Sequence, residues 1–74
     1  MVTTMNAQLN EFQQSVLALA ITGKTDKDIG DALGVPRAKV VAAMYKILRI
    51  YKVGNRSQLI YKIMLARIAK LKAA

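Results

Sequence analysis

The residues best equipped for chemistry in this chain are its cations. Twelve lysines and arginines face four aspartates and glutamates, which gives a formal net charge of +8 over 74 residues. The charge is segregated. Glu11, Asp26, Asp28 and Asp31 all lie in the first 31 residues, where only Lys24 and Lys27 oppose them, leaving a balance of −2; the remainder carries ten bases and no acid. A field that one-sided concentrates polyanions and speeds their capture. Solubility alone does not require acids and bases to be separated. Catalytic chemistry is poorly provided for. There is no histidine and no cysteine, so the usual nucleophile–base pairs and a zinc site are missing. The scattered acids offer no metal cage, and no glycine-rich phosphate loop is present. The composition points to binding, with no enzyme activity, no metal and no cofactor expected.

The bases of interest are interleaved with apolar residues. Val40, Met44, Ile47, Leu48 and Tyr51 follow a helical stripe, which puts Arg37, Lys39, Lys46 and Arg49 on or beside the opposite face of a helix from about Arg37 to Tyr51. Arg37 and Lys39 are expected near a groove, Lys46 and Arg49 nearer phosphates; a merely solvated face is the alternative. A shorter helix, about Asp26 to Leu33, should precede it. Thr25 is its starter, with Asp28 in the first turn. Gly34 suits a left-handed end, and Pro36 opens the next helix, where its missing N–H costs nothing. Two helices split by such a turn form a helix-turn-helix, which often places its second helix in the DNA major groove.

The remaining elements read as support for that pair. Residues 1–8 lack periodicity and are expected to be a flexible lead-in. Asn10 and Gln13 form a capping pair for a helix running to about Thr22, with Glu11 in its first turn and Leu9 as a staple. Phe12, Val16, Leu17, Ala20 and Ile21 gather on one face, and Gly23 closes the helix. Ile29 and Leu33 give the second helix its inward side. Val53-Gly54-Asn55 breaks the chain again, Gly54 supplying backbone freedom and Asn55 with Gln58 repeating the capping pattern. A fourth helix from Arg56 to about Lys70 carries apolar residues around most of its circumference. Such a helix is usually buried on more than one side, which predicts a homodimer packed through Leu59, Ile60, Ile63, Met64 and Ile68. The rival is a basic amphipathic helix on a membrane surface, with Lys62, Arg67, Lys70 and Lys72 toward headgroups. The whole is one all-α four-helix domain over residues 9–74, small enough that a partner subunit would help its core. No apolar run approaches the roughly 20 residues needed to span a bilayer, and the N-terminus lacks the features of a secretory signal. A cytoplasmic location with no membrane contact is expected.

The series resembles the LuxR/GerE family of bacterial helix-turn-helix DNA-binding domains from about Leu9 to Leu65. The carriers are Leu9-Asn10, Glu11 and Val16-Leu17-Ala18-Leu19, then Gly23, Thr25, Lys27, Asp28 and Ile29, and finally Arg56-Ser57-Gln58. Leu33, Val35, Val40, Ile47 and Val53 fall on the family's apolar positions. The resemblance implies a small stand-alone, GerE-like transcription regulator, often dimeric through the fourth helix, with the third helix in the major groove of double-stranded DNA. Control would come from its amount or from a partner. It also places Thr25 and Lys27 at the DNA backbone, though Thr25 serves equally as a cap only. Val41, Ala42 and Tyr45 fall at positions that usually face base edges. The chain departs from the family there: Pro36 stands in place of a serine, and of the family's threonine, valine, lysine and histidine near the helix start, here Lys39, Val40, Val41 and Ala43, only the valine is kept.

Two readings of that strip stay open. In one, specificity comes from Arg37, Lys39, Tyr45 and DNA shape. In the other, Val41, Ala42 and Tyr45 dock a protein of the transcription machinery, and the chain inhibits or recruits a regulator or polymerase. A nonspecific nucleoid-type binder is a third possibility. Arg56 either reaches a phosphate or braces the third helix. Met44 and Met64 are expected as core filler, Tyr51 in the core, Tyr45 exposed, and Tyr61 in the core or an interface.

Overall fold

The computed structural model describes residues 9–73; the lead-in expected over 1–8 lies outside them. Four helices follow one another: α1 (Glu11–Ile21), α2 (Asp26–Leu33), α3 (Arg37–Tyr51) and α4 (Arg56–Ala73). The described part is all-helical, as the periodicity predicts.

Local chemistry accounts for most of the boundaries. At α1, Asn10 Oδ1 accepts from Gln13 N–H at 2.8 Å while Gln13 Oε1 accepts from Asn10 N–H at 3.0 Å, so each residue satisfies a backbone donor of the other. Thr25 Oγ1 accepts from Asp28 N–H at 3.2 Å and starts α2. Gly34 ends it at φ 71°, in the left-handed region. The third break falls at Val53-Gly54-Asn55, between α3 and α4. The left-handed residue is just ahead of it, Lys52 at φ 58°. Lys62 Nζ, in the second turn of α4, donates to the Tyr51 carbonyl at 2.8 Å and so satisfies an acceptor at that helix end. Asn55 Oδ1 caps α4 by accepting from Gln58 N–H, but the Gln58 side-chain Oε1 accepts from Gly54 N–H at 2.7 Å instead of completing a reciprocal pair with Asn55.

The core is built from Leu9, Val16, Leu17 and Ala20 of the α1 region, Ile29 of α2, Val40, Ala43, Met44 and Ile47 of α3, and Leu59 and Ile63 of α4. Phe12, Ile21, Leu33, Leu48 and Tyr51 pack around it, half-buried. Partial burial pushes the Tyr51 phenol above its ordinary value, because the low-dielectric surroundings disfavour the phenolate. No polar or charged side chain is buried among the described residues.

Two expectations for α4 need correction. Leu59 and Ile63, expected at a contact between subunits, are 0% and 2% exposed within the single chain. They belong to its own core, with the buried residues of α1, α2 and α3. Met64, expected as core filler, is half exposed, because it lies one residue beyond the inward stripe. From Met64 to Leu71 every residue of α4 is exposed. Tyr61 is exposed as well. No helix among the described residues is long and apolar enough to cross a membrane.

Candidate nucleic-acid interface

The helix-turn-helix is locked by a close backbone approach. Gly30, buried in α2, lies under the turn Gly34-Val35-Pro36, and the Val35 N–H donates to the Gly30 carbonyl at 2.9 Å. A Cβ on Gly30 would stand 2.8 Å from the Val35 carbonyl oxygen. Only glycine lets the turn sit this near α2, and the turn sets where α3 begins. The sequence reading missed Gly30; a lone glycine in the middle of a helical pattern was the available signal.

With Val40, Ala43, Met44 and Ile47 turned inward, the opposite face of α3 is fixed by helical spacing. Ala38, Ala42, Tyr45 and Arg49 succeed one another at steps of four, three and four and are all exposed. Tyr45 is 67% exposed. Arg37 flanks the row on one side, Lys39 and Lys46 on the other, all exposed; Val41 is half-buried at its margin. Ala38 belongs to the row and was not singled out from the sequence.

The other expected residues divide between two clefts. Thr25, Lys27, Arg37 and Arg56 converge with Lys24 and Asp26 on an open cleft of about 410 Å³ at the start of α2. Lys27 Nζ lies 3.3 Å from Asp31 Oδ2, in a solvent-exposed pair that a phosphate can outcompete. Arg56 is held more firmly. Its Nη1 donates to Asp26 Oδ1 at 2.6 Å and its Nη2 to the Lys24 carbonyl at 2.8 Å. The brace expected toward α3 therefore runs to the start of α2, and the guanidinium is occupied there. On the far side, Lys39 Nζ stands 5.5 Å from the centre of the Phe12 ring, a cation–π contact that draws it toward α1. Lys39, Ala42 and Lys46 border a shallow cleft with Asn10, Phe12 and Gln13 of the α1 region. Lys39 thus sits at the edge of the α3 face, away from its centre.

The arrangement offers cations for phosphates around a narrow row of small and aromatic side chains. Among the described residues, no group of three or more acids gathers to hold a metal ion. No protein-family model matches this chain, and no curated protein matches it.

Proposed function

We propose that this protein is a small DNA-binding transcription regulator of LuxR/GerE-like design, acting in the cytoplasm, with α3 in the major groove of duplex DNA. The observation that carries the reading is the exposed α3 row of Ala38, Ala42, Tyr45 and Arg49, bordered by Arg37, Lys39 and Lys46. The row is narrow enough to enter a groove, and the bases beside it suit the phosphates on either wall. Lys24, Thr25 and Lys27 at the start of α2 add a second point of backbone contact.

A second copy is the partner proposed for α4. Its exposed Tyr61, Met64, Ile68 and Leu71 recur at steps of three, four and three, the spacing of a two-helix seam. Ile60, half-buried at the edge of the seam, adds to it. Leu59 and Ile63 hold α4 to its own domain, so of the set expected from sequence the dimer contact keeps Ile60, Met64 and Ile68 and adds Tyr61 and Leu71.

The apolar character of Val41, Ala42 and Tyr45 favours a second reading, in which the α3 face docks a protein of the transcription machinery. The two are separated by following backbone amide resonances during titration with a short random-sequence duplex at low salt. A DNA-binding face predicts the largest shifts at Ala38, Ala42, Tyr45 and Arg49 and at the start of α2. Absence of shifts there would reject the regulator reading and turn attention to a protein partner.

A further inference from the structure

We infer that the α3 face selects duplexes carrying thymine at the centre of its contact site, through methyl-to-methyl contact from Ala38 and Ala42; the inference rests on the major-groove reading above. The helix RAKVVAAMYKILRIY contains no Asp, Glu, Asn, Gln, Ser or Thr. That absence removes most of the vocabulary of base recognition. Adenine is singled out by a carboxamide that both accepts from N6 and donates to N7, and cytosine by an acceptor for N4. Along the exposed row only the Tyr45 hydroxyl can accept. Guanine is read by an arginine fork or a lysine ammonium; the arginines stand at opposite ends of the face, Arg37 in the first turn and Arg49 in the last, while Lys39 and Lys46 lie off one side of the row, along the cleft shared with Phe12 of α1. The two arginines are twelve residues apart, or about 18 Å along a helix.

Between those ends the row presents the methyl groups of Ala38 and Ala42, with Val41 at its margin. Both alanines are small, so the backbone of α3 can come close to the groove floor. The one base feature an alanine methyl can distinguish in the major groove is the thymine C5-methyl. Uracil, cytosine and the purines leave that position empty, and a gap there forfeits the contact. A face of this kind accepts guanine at its edges and favours thymine in its middle.

The test begins with selection of duplexes from a pool with a random core, using the full chain. The selected thymines are then replaced one at a time by deoxyuridine, which removes only the C5-methyl. Binding is expected to weaken about threefold to fourfold per contacted methyl, the worth of one buried CH₂ group. In Ala42→Gly the thymine-to-uracil affinity ratio should fall toward one at the position Ala42 touches. Because the ratio is taken within one protein, a loss of stability in the variant cancels, and circular dichroism checks that it is folded. Equal affinity of the unmodified protein for thymine and uracil duplexes overturns the inference and leaves DNA binding standing. So does a ratio unchanged in both Ala42→Gly and Ala38→Gly. Failure to bind any duplex overturns the regulator reading together with it.

Discussion

Arg56 reaches across 30 residues of sequence to donate to the Asp26 carboxylate at 2.6 Å, with its second amino group on the Lys24 carbonyl. The pair ties the first turn of α4 to the first turn of α2, and its two side chains are 31% and 22% exposed. A charge-assisted, two-pronged contact of this kind exceeds an ordinary surface ion pair. Arg56→Ala should lower stability by about 1–2 kcal/mol, read as a lower urea midpoint with unchanged slope. Arg56→Lys should restore only part of it, since an ammonium cannot form the fork. The salt dependence of DNA binding should stay as it is in both variants. A shallower dependence would mean that Arg56 reaches a phosphate after all.

Gly30→Ala should destabilise the fold by about 1–3 kcal/mol, the range for forced overpacking, despite alanine's better helix propensity. The atom in the way is a backbone oxygen, Val35 O, held in the turn by its neighbours. Gly34→Ala meets no neighbour within 4 Å but must adopt φ 71°, a strain of about 1–2 kcal/mol for a residue with a Cβ. Thermal melts of the two variants compare a steric cost with a backbone cost. A Gly30→Ala protein as stable as the parent would show that the turn can move away from α2.

The strips of α4 should respond oppositely to substitution. Leu59→Ala removes a fully buried side chain and should cost about 2–5 kcal/mol. Met64→Asp and Ile68→Asp change exposed positions and should leave the melting temperature of the monomer nearly unchanged while abolishing the dimer. Sedimentation equilibrium reads the second effect. Monomeric behaviour of the parent protein at every concentration would remove the dimer from the account.

Salt should move the two proposed associations in opposite directions. α4 carries Arg56, Lys62, Arg67, Lys70 and Lys72 and no acid, so two copies repel. Screening over a Debye length of about 8 Å at 0.15 M weakens that repulsion. Self-association should therefore tighten as salt rises, while DNA binding weakens. A dimer that dissociates on adding salt would point to ion pairing between subunits, and the seam through Met64 and Ile68 would be misplaced.

Which parts were legible in the sequence follows from the range of the interactions. Asn10 with Gln13, Thr25 with Asp28 and the Gly34 turn are contacts within a few residues, and each was visible as a spacing. The inward stripe of α3 was legible for the same reason, except Ala43, a small residue that is buried beside Phe12 and Gln13 of α1. What escaped depends on neighbours distant in the chain. Sequence alone leaves Arg56 between a phosphate contact and a brace to α3, and only Asp26 beside it decides. Lys39 looked central until Phe12 drew it aside. Leu59 and Met64 carry similar apolar side chains, and only the docking of α4 on α3 decides which of them is inside.

The central claim is that the α3 face binds duplex DNA. Its most direct test is fluorescence anisotropy of a labelled duplex titrated at several salt concentrations with the parent protein, Arg37→Ala, and the double change Tyr45→Ala with Arg49→Ala. The account predicts binding that weakens steeply with salt, a slope shallower by about 0.9 for each phosphate contact removed, and at least a tenfold loss of affinity in the double variant, roughly the worth of one base-edge contact. No binding at low salt, or a double variant that binds as well as the parent, would contradict it.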